Sequence, residues 1–207
     1  MARHLVMAGR LLDSDPELAY QHAQAAVRRA GRVDVVREAA GLAAYHTGRY
    51  AEALRELRTV RRLNGSSEHL PVMADCERGL GRPDRAIALG RDPEVASLEP
   101  EAVLELALVV AGARLDLGEP EGALVALDSV TPTTPEARER LLGVRADALE
   151  AAGRGAEAQV LRASLPAAEE ELVVFDVEDD SDGADVTRAR RDGSEGGDAG
   201  GARTSEL

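Results

Sequence analysis

The sequence predicts an all-α chain, and three observations lead there. Apolar residues fill 44% of the 207 positions but aromatics only 2%. The apolar load is therefore mostly Ala, Leu and Val, and Ala and Leu are strong helix formers. Apolar residues recur with helical periodicity over 34–47, 50–63, 69–80, 84–90, 102–117, 120–130, 136–152 and 155–165. Four similar turns separate these segments in pairs: TGRY (47–50), LGRP (80–83), LGEP (117–120) and AGRG (152–155).

The turns define a repeat. Their glycines, Gly48, Gly81, Gly118 and Gly153, are spaced by 33, 37 and 35 residues. Five residues after each stands an alanine: Ala53, Ala86, Ala123 and Ala158. One period before Gly48 lies Ser14 in the turn DSDP, with Ala19 five residues on, so a fifth unit leads the chain. Glycine ends the first helix of each unit because it enters the left-handed region cheaply. Pro16, Pro83 and Pro120 open the second helix, where the missing N–H costs nothing. The alanine marks the point where paired helices come too close for a larger side chain.

Taken in order, the units cover about 1–31, 34–65, 67–100, 102–135 and 136–165. The first helix of unit one begins at or before Met1 without a capping residue, so coding sequence is expected upstream. Unit two is the most regular. Unit three is interrupted: LGRDPEVASLEP (89–100) holds Gly90, Pro93 and Pro100. A proline inside a helix costs about 3 kcal/mol. The second helix of unit three should stop near residue 90, followed by an irregular turn or short helix to 100. Residues 166–207 form an acidic, Gly-rich tail with the composition of a disordered segment.

Unit two, DVVREAAGLAAYHTGRYAEALRELRTVRRLNG, resembles the tetratricopeptide repeat, or TPR. Its pattern places hold Ala40 and Gly41, Ala44, Gly48, Tyr50, Ala53, Leu57, Val60 and Gly65. The resemblance covers about residues 2–165 and weakens outside unit two. The family's Trp and Phe are absent, Gly90 stands where a large apolar residue belongs, and Gly155 replaces Tyr. The resemblance implies an α-solenoid whose first helices line a concave, partner-binding groove. By that register the groove residues are Val35, Glu38, Leu42, Tyr45, His46, Asp75, Arg78, Leu108, Gly112, Leu115, Asp116, Gly143, Asp147 and Glu150. Glu38 and Leu42 occupy places where family members that clamp a C-terminal carboxylate carry basic or amide side chains, so that mode is not expected. The groove is mixed apolar and acidic, which suits an amphipathic helix or a basic segment. About half of these residues are expected to serve packing between units.

Charge divides the chain. Every one of the 25 basic residues is Arg, and the net charge is −13. Residues 1–62 carry +4, residues 63–165 carry −8, and residues 166–207 carry −9. Arg55, Arg58 and Arg62 form a stripe with Arg61 beside it, and Arg28, Arg29 and Arg32 end the preceding unit's second helix. A nucleic-acid-associated regulator using these arginines is the alternative function, though no aromatics are interleaved with them. Self-association is a third possibility, with a homo-oligomer as its product.

Catalytic signals are missing from the sequence. His4, His22, His46 and His69 are scattered and lack metal-ligand spacing. No phosphate loop or nucleophile elbow is present, so neither enzyme activity, cofactor nor metal is expected. The single Cys76 excludes an intramolecular disulfide and suits a reducing compartment. No stretch reaches the roughly 18 apolar residues of a membrane span, and no signal peptide is evident. A cytoplasmic adaptor is the expectation. Within the tail, Leu172, Val173, Val174 and Phe175 lie among nine acids between Glu169 and Asp185. This short apolar segment, 172–177, reads as a docking element.

Overall fold

The computed structural model describes residues 1–165. Ten α-helices follow one another: α1 (Ala2–Leu11), α2 (Pro16–Ala30), α3 (Asp34–His46), α4 (Tyr50–Asn64), α5 (Leu70–Gly79), α6 (Pro83–Leu89), α7 (Pro100–Asp116), α8 (Pro120–Asp128), α9 (Pro135–Ala151) and α10 (Gly155–Ala163). A short 3₁₀ helix, Pro93–Ser97, lies between α6 and α7. There is no strand among the described residues, so the chain is all-α there. None of these helices is long and apolar enough to cross a membrane.

Each helix packs against its neighbours in the chain, α1 on α2, α2 on α3, and so on to α10. The first helices of successive hairpins also meet, α1 on α3, α5 on α7 and α7 on α9. Among the described residues there is no single central core. Four apolar clusters each straddle two adjacent hairpins, for example Leu54, Leu57, Met73 and Cys76 across the second and third. Stability in such an array is a sum of hairpin and neighbour terms.

The turns behave as their glycines require. Gly48, Gly81, Gly118 and Gly153 all have φ between 70° and 75°. Past each one, the next amide reaches back five residues to close the helix end: Arg49 N to Ala44 O, Arg82 N to Glu77 O, Glu119 N to Arg114 O and Arg154 N to Leu149 O, at 2.8–2.9 Å. This bonding meets carbonyls that the helix end leaves open. The first turn differs because it has no glycine. There Asp15 caps α2 instead, its carboxylate accepting from the Leu18 amide at 3.0 Å. Ala19, Ala53, Ala86, Ala123 and Ala158 are each fully buried.

Hairpin three is interrupted as its prolines dictate: α6 ends at Leu89 and the 3₁₀ turn fills the gap to α7. Gly90 has a packing reason. A Cβ there would stand 2.6 Å from Val110 Cγ2, so α7 occupies the space. Gly41 and Gly79 are similar. Leu57 lies over Gly41, and the Tyr50 ring lies over Gly79 of the following hairpin.

Candidate functional site

A polar ladder joins each hairpin to the next. Tyr45 donates to Asp75 at 2.7 Å, from α3 to α5. Arg78 donates to Asp116 at 2.6 Å, from α5 to α7. Arg140 of α9 pairs with Glu105 of α7. On the other side of the array, Tyr20 donates to Glu52 at 2.8 Å and Arg61 pairs with Asp92 at 2.8 Å. The partners are 30–38 residues apart, one repeat length. Burial and the Asp75 carboxylate hold the Tyr45 phenol well above the ordinary tyrosine range.

This ladder frames an open cleft of about 500 Å³ on the first helices α3, α5, α7 and α9. Its lining includes Tyr45, Asp75, Arg78, Leu108, Gly143 and Asp147 of the expected groove. The remaining lining residues, Glu105, Val109, Arg140 and Val144, were not foreseen. Their signal was present: Glu105–Val109 and Arg140–Val144 are i,i+4 pairs, the spacing that places side chains on one helix face. Gly143 opens the floor, because a Cβ there would meet nothing within 4 Å.

The other expected residues are distributed around this cleft. Val35, Glu38 and Leu42 line a separate apolar recess of about 180 Å³ against Leu5 and Ala8 of α1 and Leu12 just past its end. His46 is exposed, with its ring edge-on to Tyr45 at 5.7 Å. Leu115 packs against the core between the fourth and fifth hairpins. Gly112 gives room to the Arg78 guanidinium, which a Cβ would approach to 3.0 Å. Asp147 and Glu150 both pair with Arg162 of α10, at 2.9 and 2.5 Å. Leu172, Val173, Val174 and Phe175 lie outside the described residues.

The arginine stripe is largely neutralised. Arg55 pairs with Glu56 at 3.1 Å, Arg58 with Glu77 at 2.6 Å and Arg61 with Asp92. Glu56 and Glu77 are buried, while the Arg55 and Arg58 side chains that reach them stay more than half exposed. The histidines also depart from the sequence reading of isolated positions. Stacking of α1 on α2 brings His4 Nδ1 to 2.8 Å from His22 Nδ1. One of these two nitrogens carries the shared proton and the other accepts it. Burial, together with the His22 and Arg29 charges, keeps His4 below the usual histidine range.

Cys76 is fully buried between the second and third hairpins. Burial and the Asp75 and Glu77 carboxylates push its thiol up to about 12. A thiol is nucleophilic only as the thiolate. We therefore expect Cys76 to resist a disulfide reagent such as DTNB in the native protein at pH 8 and to react fully in denaturant. Rapid native reaction would contradict this burial. No protein-family model matches the chain, and neither does any curated protein.

Proposed function

We propose that this protein is a non-enzymatic, TPR-like adaptor, and that the cleft across α3, α5, α7 and α9 receives an amphipathic helix or basic segment of a partner protein. The observation that supports the reading is the cleft's composition. Leu108, Val109 and Val144 provide apolar floor, and Asp75, Glu105 and Asp147, each already paired within the protein, keep acceptor oxygens along its margin. An amphipathic helix lays apolar residues at i, i+3 and i+4 into such a surface, and basic side chains beside them meet the acidic margin. A cytoplasmic setting goes with this reading, since a lone buried thiol suits a reducing compartment.

Gly143 provides the test because its Cβ position is open. Gly143→Ala should fold and gain about 0.5–1 kcal/mol, since glycine is costly inside a helix. Gly143→Gln should fold as well and fill the cleft. Selection from a peptide-display library against the full chain is expected to enrich helical peptides with a basic face. Gly143→Gln and Tyr45→Ala should bind them at least about tenfold more weakly, a loss of about 1.4 kcal/mol. Enriched peptides that bind Gly143→Gln as tightly as the parent would remove the cleft from the proposal.

A further inference from the structure

We propose that Glu38, Glu68 and His69 form a binding site for one divalent transition-metal ion, with Zn²⁺ the best match. His69 Nε2 lies 3.3 Å from Glu38 Oε1 and 3.3 Å from Glu68 Oε1. All three ligand atoms fall within 4.8 Å of one another. Zinc binds imidazole nitrogen and carboxylate oxygen at about 2.0–2.1 Å in tetrahedral geometry. Ligand atoms at those bond lengths stand about 3.3–3.4 Å apart along each tetrahedral edge. Both nitrogen–oxygen separations at this site have that value.

The second observation is the nitrogen itself. His69 Nε2 is buried and has no hydrogen-bond partner, although two carboxylate oxygens are within reach. A distance that allows a bond, with no bond formed, means that both oxygens sit off the ring N–H axis. A simple imidazolium–carboxylate pair would aim that N–H at one oxygen. Oxygens flanking the axis can instead share one ion with the nitrogen. A buried polar atom without a partner is costly, and an ion at this point removes the cost.

The three residues come from two parts of the fold. Glu38 projects from the second turn of α3, while Glu68 and His69 end the connection from α4 into α5. Glu68 is the solvent-exposed ligand and gives the ion a path in. Three protein ligands leave a fourth position for water. One imidazole with two carboxylates favours zinc-like ions over Mg²⁺ and Ca²⁺, which take oxygen ligands. The ion would tie α3 to the start of α5. The Tyr45–Asp75 bond already ties the same two helices seven residues further along α3, about 10 Å at the helical rise per residue. Two such ties would fix how the second and third hairpins stack.

The test is calorimetric titration of the full chain with ZnCl₂. One ion per chain is expected, with no comparable heat from MgCl₂ or CaCl₂. Glu68→Gln changes an exposed side chain and leaves the fold intact. It and His69→Ala should each weaken zinc binding at least about tenfold. His4→Ala/His22→Ala should bind zinc like the parent. The proposal is overturned if the parent takes up no zinc, or if Glu68→Gln and His69→Ala titrate like the parent. It is equally overturned if removing His4 and His22 abolishes the signal.

Discussion

Leu57→Ala is expected to destabilise the protein by about 2–5 kcal/mol, the cost of a cavity left by a fully buried leucine. Leu57 is 1% exposed, at the centre of the cluster that joins the second hairpin to the third. Its side chain also lies over Gly41, where a Cβ would stand 2.7 Å from Leu57 Cδ2. This contact makes the pair interdependent. In the parent, Gly41→Ala forces the Leu57 side chain aside, an overpacking cost of about 1–3 kcal/mol. In the Leu57→Ala background the same substitution enters vacant space and gains helix propensity, so its sign should reverse. Urea unfolding followed by circular dichroism measures all four corners of this cycle. Additive effects at the two positions would show that Leu57 does not define the space above Gly41.

Arg58→Ala should cost about 2–3 kcal/mol, far more than an ordinary surface arginine. The Arg58 side chain is half exposed, but its partner Glu77 has a side chain only 1% exposed, at 2.6 Å. Removing the arginine leaves a buried carboxylate with only the longer contact to Arg82, at 3.5 Å. A buried charge without close compensation is strongly destabilising, whereas removing both partners is much better tolerated. Arg58→Met/Glu77→Leu should therefore recover most of the stability lost in Arg58→Ala. A change below about 0.5 kcal/mol in the single variant would place this pair among weak surface ion pairs.

Periodicity in the sequence carried far because helix ends are local events. Gly48, Gly81, Gly118 and Gly153 needed only the left-handed preference of glycine to mark four turns. The prolines at 93 and 100 broke the third hairpin for reasons internal to the backbone. Even the buried alanines, Ala19 to Ala158, followed from counting five residues past each turn. The candidate cleft was partly legible. Tyr45, Asp75, Arg78, Leu108, Gly143 and Asp147 were reached through helix register, while Glu105 and Arg140 were missed although they share the same faces.

The sequence by itself determined the all-helical class, the five helix pairs over residues 1–165 and the place where the third pair is cut short. These depend on dihedral preferences and apolar spacing within a few residues of chain. Tertiary structure alone decided which polar groups are consumed in joining the hairpins. Tyr45 finds Asp75 and Arg78 finds Asp116, each about one repeat away. It also decided that His4 meets His22, and that Gly41 and Gly90 exist to admit Leu57 and Val110. Those outcomes depend on how far one hairpin is rotated and shifted on the next. Summed side-chain packing sets that geometry, and no local pattern encodes it.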